Sequence, residues 1–382
     1  MRSFLKTDFG IALIIAISWK LALLSIGFIF DSIQGGATNF LDHTMRWDAG
    51  WYTTIVNDTY STNAASAAFY PLFPLLAGSV HTITFGLLGL PLSGQLVNTV
   101  ALWLALTALI RLGKLLLGKT KTYWLVLLVL SAPAAFFLHV FYGEALFLAL
   151  SLWAYLFALK RNWVGVGVIL ALLTAARLPS LLIIGLCALE YLRSYGWSIK
   201  KAFNKRLLWF LLAPLGFIAY ALYLYILHGN ALGMFSAYNA TTDWAYQVFN
   251  PNIIETIAKG GYQTVRAAAG LRPFDNGLVV NNLLPFISIV ILGAASLFLV
   301  FKKKGKYIPL GITGFVSIIM FSLNSNLVSV HRYALPILTT YVAIGLLLNG
   351  RYKNVALTVI CVVGLTVQLY LYWLFVGAVF AG

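Results

Sequence analysis

The sequence predicts an all-α polytopic membrane protein, and three observations predict it. Hydrophobic residues make up 61% of the 382 residues and charged residues only 9%. Apolar runs of about 15 to 22 residues recur to the end of the sequence, and a helix of roughly this length crosses a bilayer. Short basic clusters separate the runs, as they do in the cytoplasmic loops of membrane proteins. A membrane β-barrel would instead show alternation within segments of about ten residues.

The apolar runs predict about 10–11 membrane-spanning helices. Their expected positions are 9–30, 92–110, 122–139, 144–159, 163–176, 178–192, 207–228, 281–301, 307–325, 334–349 and 355–377. The runs 163–176 and 178–192 are short, and Pro179 predicts a break between two half-helices there. Segment 71–90 contains several prolines and glycines, and we expect it to lie partly at the membrane surface. Whether these short segments cross the membrane completely stays open.

The charge distribution predicts an orientation and excludes one class of partner. The net charge is +16, but the basic residues lie in clusters between apolar runs, so the pattern indicates a membrane and not nucleic acid. With the N-terminus in the cytoplasm, most of the 26 basic residues fall in cytoplasmic loops. The chain then forms a single transmembrane domain over 1–382, with outer loops at about 31–91 and about 229–280. Most of the ten acidic residues fall on the outer face.

Asp48 is the strongest candidate for catalysis. Residues 44–59 can form an amphipathic helix in the first outer loop, which would place Asp48 at headgroup depth. Carboxylates beside a bilayer are costly, and a shielded one can act as a general base towards a hydroxyl. The alternative is a surface carboxylate that faces water or pairs with Arg46. The apolar side of the helix would consist of Trp47, Trp51, Tyr52 and Ile55.

Two further segments carry polar or aromatic residues at the predicted outer face. Tyr70 lies among aromatic residues and closely spaced prolines, a pattern that predicts either a wall for an acceptor or lipid chain or a simple helix entry. Glu144 begins a predicted span, where a carboxylate suits a helix N-terminus. The alternatives for Glu144 are a contact with an acceptor and an ion pair with Arg177.

Three cations are candidate anion ligands. Arg177 lies between two apolar half-helices, and a buried guanidinium needs Glu144, Asp48 or a substrate phosphate as its partner. Arg332 presents a fork suited to phosphate oxygens, and His331 adds a donor. The alternative for this pair is an anchor at the end of a span. The sequence contains no nucleotide-binding loop. Nucleotide sugars are absent from the outer face, so a sugar donor there would have to be lipid-linked.

Taken together, these segments resemble the PIG-V-like mannosyltransferase family, which has the GT-C glycosyltransferase fold. The resemblance rests on motifs that occur in the family's order and is densest between about 46 and 180. They are Trp47-Asp48-Ala49-Gly50-Trp51-Tyr52, Ala68-Phe69-Tyr70-Pro71-Leu72-Phe73-Pro74, Pro133 with Phe136-Phe137, Tyr142-Gly143-Glu144-Ala145-Leu146-Phe147, Ala176-Arg177, and His331-Arg332-Tyr333 with Pro336.

The resemblance implies an inverting transfer of mannose from a polyprenyl phosphate to a hydroxyl of a lipid- or glycan-linked acceptor, on the extracytoplasmic face. Asp48 matches the family's catalytic base, while Arg332, His331 and Arg177 would hold the donor phosphate. Acceptor or substrate contacts would come from Glu144, Trp47, Trp51, Tyr52 and Tyr70. Gly143 departs from the family, in which many members have serine, and this leaves the role of that position open.

The resemblance requires no cofactor, although acids on the outer face could bind a divalent metal. The short chain without a large outer domain is similar to prokaryotic members, which predicts a plasma-membrane protein. The expected partners are the bilayer, a polyprenyl-phosphate sugar and the acceptor. The alternatives are a related enzyme using another lipid-linked sugar such as glucose or arabinose, a transporter or flippase, and a scaffold subunit. A transporter would be expected to carry charges in the middle of the membrane and internal symmetry.

Overall fold

The computed structural model describes residues 4–36, 39–237, 249–302 and 305–382. Within these ranges the regular structure is helical, apart from one isolated antiparallel bridge between Phe249 and Asn324. The α-helices are α1 (Asp8–Ile33), α2 (Asp48–Asp58), α3 (Leu72–Ile83), α4 (Leu90–Leu116), α5 (Trp124–Leu130), α6 (Glu144–Leu159), α7 (Trp163–Thr174), α8 (Ser180–Ser194), α9 (Ile199–Ala202), α10 (Leu215–His228), α11 (Gly233–Ser236), α12 (Ile253–Ala268), α13 (Asn276–Leu278), α14 (Leu284–Phe301), α15 (Ile308–Ser322), α16 (Val330–Tyr333), α17 (Leu338–Leu347) and α18 (Lys353–Val376). Single 3-10 segments cover Phe4–Lys6, Asp42–Thr44, Ala64–Ala68, Lys119–Lys121, Ala135–Leu138 and Lys205–Leu212, and a π-helical turn covers Val279–Leu283.

The described residues pack into two compact units. The first consists of Met1–Val126, Phe136–Ala240 and Tyr372–Ala378. The second consists of Leu127–Ala135, Thr241–Leu371 and Val379–Gly382. In the first unit α4 packs against α1, α3 and α6, and in the second α14 packs against α15 and α17.

Five helical segments among the described residues are long and apolar enough to cross a membrane. They are Asp8–Ile33, Leu90–Leu116, Lys205–His228, Asn276–Phe301 and Lys353–Val376. Each coincides with a predicted span, and their length and composition make the chain an integral membrane protein. Other predicted spans are shorter apolar helices, at Glu144–Leu159, Trp163–Thr174, Ile308–Ser322 and Leu338–Leu347. Helix length therefore supports five spans directly, fewer than the about 10–11 predicted.

The predicted break near Pro179 is confirmed. Helix α7 ends at Thr174 and α8 begins at Ser180, with Pro179 as the N-cap residue of α8. A proline has no N–H to donate to a preceding turn, so it suits the first turn of a helix and not its interior. Arg177 lies in the break between the two helices.

The prediction of one continuous helix over 122–139 is wrong. Helix α5 ends at Leu130, and the chain then runs through 131–143 with only a short 3-10 turn at Ala135–Leu138. Nearly all of these residues are buried, so their backbone groups cannot reach water. Pro133 cannot supply a helical N–H, which interrupts the hydrogen-bond ladder at this point.

Side-chain amides of α4 replace the missing helical hydrogen bonds of this irregular segment. Gln95 Nε2 donates to the carbonyl of His139 over 2.9 Å, and Asn98 Nδ2 donates to the carbonyl of Val140 over 2.7 Å. Irregular backbone at membrane depth is tolerated where protein groups satisfy it. The amides thus hold residues 139–142 in a defined position beside α4.

Gly94 permits this close packing, and its replacement is expected to destabilise the protein. A β-carbon at Gly94 would lie 2.2 Å from two ring atoms of Phe141. We therefore expect Gly94→Ala to displace the Phe141 ring and to lower stability by about 1–3 kcal/mol, as overpacking does. Thermal unfolding in detergent measures this change. Gly185→Ala is the control, because a β-carbon there would have no heavy atom within 4 Å; equal melting temperatures for both variants would contradict the prediction.

Candidate active site

Asp48 is the first residue of α2, and this helix is shorter than the predicted 44–59. Trp47 precedes the helix with φ at 54°, a conformation that is uncommon for a residue with a side chain. The prediction that Trp47 shares the apolar side of the helix is therefore wrong, and Trp47 is exposed. Tyr52 and Ile55 form the buried side, while Asp48 is half-buried.

The Tyr142 hydroxyl fixes the backbone around Asp48. It accepts a hydrogen bond from the N–H of Asp48 over 3.0 Å and donates to the carbonyl of Arg46 over 3.1 Å. The N–H of Phe141 also donates to the carbonyl of Thr44 over 3.1 Å. Two segments almost a hundred residues apart are joined in this way, so the start of α2 lies beside the segment that leads into α6.

Arg46 forms an ion pair with Asp31 at the end of α1. Its Nη2 lies 3.1 Å from Asp31 Oδ1, and the Asp31 side chain is buried. The guanidinium is partly buried and belongs to the turn that the Tyr142 hydroxyl holds. This pair ties the beginning of the candidate site to the first long helix.

Glu144 and Arg177 form an ion pair. Glu144 is the first residue of α6 and is buried, and its Oε1 accepts a hydrogen bond from Arg177 Nη1. Arg177 lies in the break between α7 and α8. The carboxylate at the start of α6 therefore pairs with a cation that lies between two other helices. The structure contains two of the predicted alternatives for Glu144, since it begins a helix and also pairs with Arg177. A role for either residue in binding substrate stays a prediction.

Gly143, which precedes Glu144, has room for a small side chain. A β-carbon there would lie 3.5 Å from the Tyr52 hydroxyl and 3.5 Å from Phe73 Cβ, both ordinary contact distances. Its φ of −82° is available to any residue. The departure from the serine found in many members of the resembled family is therefore not forced by lack of space.

Aromatic rings line the inner side of α2. The Trp51 ring stacks on Phe69 with centroids 5.8 Å apart. Tyr52 meets Phe69 and Phe73 edge to face, at 5.3 Å and 5.1 Å, and contacts the Tyr142 ring at 6.3 Å. Edge-to-face and stacked pairs add to the stability that burial gives. The start of α2 therefore rests on a rigid aromatic base, and Asp48 is held by backbone contacts and packing together.

Tyr70 is buried, whereas a side chain in a wall that contacts an acceptor would be exposed. Its ring lies 5.3 Å from that of Tyr220, in a core cluster that also includes Tyr60 and Ile55. Burial raises the pKa of Tyr70 to about 12, so its hydroxyl keeps its proton. Among the described residues, the hydroxyl oxygen has no hydrogen-bond partner. Its predicted role as a substrate contact stays untested.

His331 and Arg332 lie in the second unit, on the single turn α16. The tenth predicted span does not start with them, because α17 begins only at Leu338. Both side chains are buried: His331 Nε2 lies 3.1 Å from the Ala381 carbonyl oxygen, and Arg332 Nη1 donates to that of Gly382 over 3.3 Å. Burial lowers the pKa of His331 to about 4. Their predicted role in holding a phosphate stays a prediction.

The first unit also contains a buried polar cluster that the sequence did not predict. The His43 and His139 rings lie 6.1 Å apart, and each lies close to the Tyr372 ring, at 6.3 Å and 6.2 Å. Lys20 Nζ donates to the Gln95 carbonyl over 3.4 Å. Both ring nitrogens of each histidine are buried and have no hydrogen-bond partner among the described residues. A histidine at the end of an apolar run is the signal that would have identified His139, whereas no such run flanks His43.

His43 makes the stability of the protein dependent on pH. Burial lowers its pKa to about 4, reinforced by Arg46 and opposed by Asp31 and Asp42. The unfolded chain binds a proton near pH 6.5, whereas the folded protein resists it, so stability is expected to fall as pH drops from about 6.5 towards about 4. Melting temperatures across this range measure the effect. His43→Gln should reduce the slope, with the remainder coming from other buried histidines such as His331, and an unchanged slope in the variant would contradict the assignment.

No group of three or more histidine, cysteine or acidic residues that could hold a metal ion occurs in the described part of the chain. The candidate site contains one half-buried carboxylate, Asp48, the ion pair of Glu144 with Arg177, and the aromatic rings packed against α2. Comparison with known proteins adds no assignment, because no family model matches the chain and no curated protein matches it.

Proposed function

We propose that this protein is an inverting glycosyltransferase of the GT-C type, which moves mannose from a polyprenyl phosphate to a hydroxyl of a lipid- or glycan-linked acceptor. The proposal draws on the resemblance of the motifs to the PIG-V-like family. It places the reaction on the extracytoplasmic face of the plasma membrane, with the N-terminus in the cytoplasm. The integral membrane character and the basic clusters between apolar runs support that placement.

The Tyr142 contact is the observation that carries the proposal. It joins the Trp47-Asp48 motif to the Tyr142-Gly143-Glu144 motif, and both belong to the resemblance. A catalytic group must be held in a fixed geometry to be effective. Asp48 has such support from a buried hydroxyl, whereas Asp58 at the other end of α2 is exposed.

Asp48 acts as the general base in one displacement. The acceptor hydroxyl oxygen forms a bond to the anomeric carbon, and the bond from that carbon to the phosphate oxygen breaks, with its electron pair leaving on the phosphate. The hydroxyl proton passes to the Asp48 carboxylate. Attack opposite the leaving group inverts the configuration. The phosphate leaves as an anion, so cations that stabilise its charge assist departure more than an acid would.

Arg177 is the phosphate ligand proposed in the first unit. It pairs with Glu144, so binding of a phosphate would exchange or share that carboxylate partner. Arg332 and His331 are kept as proposed phosphate ligands on the motif resemblance alone. Trp47, Trp51, Tyr52 and Tyr70 are kept as proposed substrate contacts.

Transfer by the purified protein in lipid nanodiscs tests the proposal. Radiolabelled polyprenyl-phosphate mannose is supplied with an extract of glycolipids and glycans, and labelled product is separated by chromatography. We expect product that depends on the protein and retains its label after the donor is hydrolysed with mild acid. Transfer from polyprenyl-phosphate glucose or arabinose instead would replace mannose by another sugar, and no transfer from any of the three would contradict the proposal.

A transporter is the second candidate function, and the buried cluster around Lys20 favours it. Lys20 lies within a long apolar helix and is buried close to His139, whose ring lies 6.1 Å from that of His43. The ring nitrogens of both histidines have no hydrogen-bond partner among the described residues. Ionisable groups at such depth often mark ion pathways. Proton flux into liposomes, followed with a trapped pH-sensitive dye, tests this candidate. Flux that depends on Lys20 and is lost in Lys20→Met would support it, and absence of flux in the wild type would exclude a proton-coupled route.

A further inference from the structure

Helix α12 in the second unit has three distinct sides. The side packed against protein holds Thr256, Gly260, Gly261 and Thr264. A second side is apolar and faces away from protein, and we call it the apolar strip: Ile254, Ala258, Tyr262 and Val265. The third side is polar and holds Glu255, Lys259, Gln263 and Arg266. Spacings of three and four residues place each set on one side of a helix.

The packed side fixes the orientation of α12. A β-carbon at Gly260 would lie 2.7 Å from the Leu327 side chain, and one at Gly261 would lie 2.9 Å from the Phe286 ring, so both glycines permit close contact. Thr256 Oγ1 also donates to the Asn324 carbonyl over 2.6 Å. Because these contacts fix the rotation of α12 about its axis, the apolar strip faces away from the packed side.

The side chains of the apolar strip are more exposed than is favourable for apolar groups in water. Ile254 is 77% exposed and Val265 is 65% exposed, and Phe274 after the helix is 70% exposed. Large contiguous apolar patches on a protein surface mark contacts with a partner or a membrane. In this chain the location decides between them: the candidate span Asn276–Phe301 begins two residues after Phe274. Phe274 therefore lies just before the start of a helix that is long and apolar enough to cross the bilayer.

The polar side is basic and carries oriented arginines. Lys259 pairs with Glu255 over 2.5 Å. The Arg266 guanidinium lies 5.7 Å from the Tyr262 ring centroid, and Arg272 Nη1 donates to Gln263 Oε1 over 3.0 Å. Both guanidiniums are thus held at the edge of the apolar strip.

The nearest further carboxylate, Asp275, is used within the fold. It caps α13 by accepting from the Leu278 N–H over 2.6 Å. A capping carboxylate keeps its charge, so residues 253–275 carry three basic side chains, Lys259, Arg266 and Arg272, against the two acidic ones, Glu255 and Asp275, which leaves a net charge of +1. Basic residues near a membrane surface attract anionic lipids.

We infer that α12 lies in the membrane interface, with the apolar strip inserted among acyl chains and with Arg266 and Arg272 binding the phosphate of an anionic phospholipid of the bilayer. An amphipathic helix with aromatic and basic edges lies in the interface plane in this way. The inference does not depend on the proposed transferase activity. It gives the second unit a lipid-binding surface beside the start of a membrane-spanning helix.

Spin labels on the full-length protein in liposomes test the insertion. Cysteines are introduced singly at Ile254 and Val265 in the apolar strip, and at Glu255 and Gln263 on the polar side, in a Cys361→Ala background; Cys187 is fully buried. We expect labels at Ile254 and Val265 to be more accessible to dissolved oxygen than to a water-soluble nickel chelate. Labels at Glu255 and Gln263 should be more accessible to the chelate. Higher accessibility to the chelate at Ile254 and Val265 would overturn the inference. So would spin–spin broadening of their spectra, because it would show that a second copy of the chain covers the apolar strip.

Titration with phosphatidylglycerol, followed by native mass spectrometry, tests the choice of lipid. Each basic residue near a membrane surface contributes a factor of about five in affinity for anionic lipid. Arg266→Gln and Arg272→Gln are therefore each expected to weaken phosphatidylglycerol binding about fivefold, with phosphatidylcholine binding unchanged. Arg266→Lys and Arg272→Lys, which keep both positive charges at the same positions, are the controls and should bind phosphatidylglycerol much as the wild type does. Wild-type affinity in Arg266→Gln and Arg272→Gln would overturn the assignment of the two arginines.

Discussion

Asp48→Asn is expected to lower the rate of mannose transfer at least about 100-fold, because an amide cannot accept the acceptor's proton. The substitution keeps the shape of the side chain. It also keeps the hydrogen bond to Tyr142, since the donor in that contact is the backbone N–H of residue 48. The loss should therefore appear in kcat, with the melting temperature close to that of the wild type. Initial rates with labelled polyprenyl-phosphate mannose in nanodiscs measure it.

Asp58→Asn is the matched control for that result. Asp58 ends the same helix that Asp48 begins, carries the same charge and is exposed. It should retain wild-type transfer. Wild-type rates in Asp48→Asn would remove Asp48 from the mechanism, whereas equal losses in both variants would show that α2 needs its charges for folding or insertion and not for proton transfer.

The five long helices could be predicted because their signal is local. A run of apolar residues long enough to cross a bilayer needs no knowledge of its neighbours. The break at Pro179 is equally local, since the missing N–H acts on its own turn. Both predictions are confirmed, as α7 ends at Thr174 and α8 begins at Ser180.

The irregular segment 131–143 could not be predicted, because its stability depends on distant residues. Its composition is that of a spanning helix, and only Pro133 argues against one. The amides that satisfy its carbonyls, Gln95 and Asn98, come from α4, more than forty residues earlier. Which amide meets which carbonyl is a property of the packed structure and leaves no periodic pattern in the sequence.

Residues of the candidate site could be predicted from the sequence, but most of the contacts between them could not. The sequence identified Asp48 as unusual, but the Tyr142 hydroxyl that fixes its backbone is one of 20 tyrosines and carries no distinguishing signal. His43 was also missed. Its burial follows from the turn at Asp42–Thr44, so no apolar run in the sequence marks it. The pair of Glu144 with Arg177 was among the predicted alternatives, because a cation between apolar half-helices needs an anion.

The Glu144 and Arg177 pair is expected to give the largest change in stability. Glu144→Gln leaves a mostly buried guanidinium without its carboxylate, and Arg177→Met leaves a buried carboxylate without its cation. Breaking a buried ion pair in this way typically costs about 3–5 kcal/mol. The side chains are 4% and 17% exposed, so little solvent screening reduces the effect. The double variant, which removes both charges, should recover much of the lost stability in thermal unfolding.

Transfer activity in the same variants separates a structural pair from one that also binds substrate. If Arg177 holds the donor phosphate, as proposed, the double variant regains stability and still transfers mannose poorly, with a raised KM for the donor. Recovery of both stability and transfer would limit the pair to a structural role. Glu255→Gln with Lys259→Met is the control, because that ion pair is exposed and should contribute little. A phosphate ligand that also neutralises Glu144 would explain why the cation lies in a break between helices, where it can exchange one anion for another without unwinding either helix.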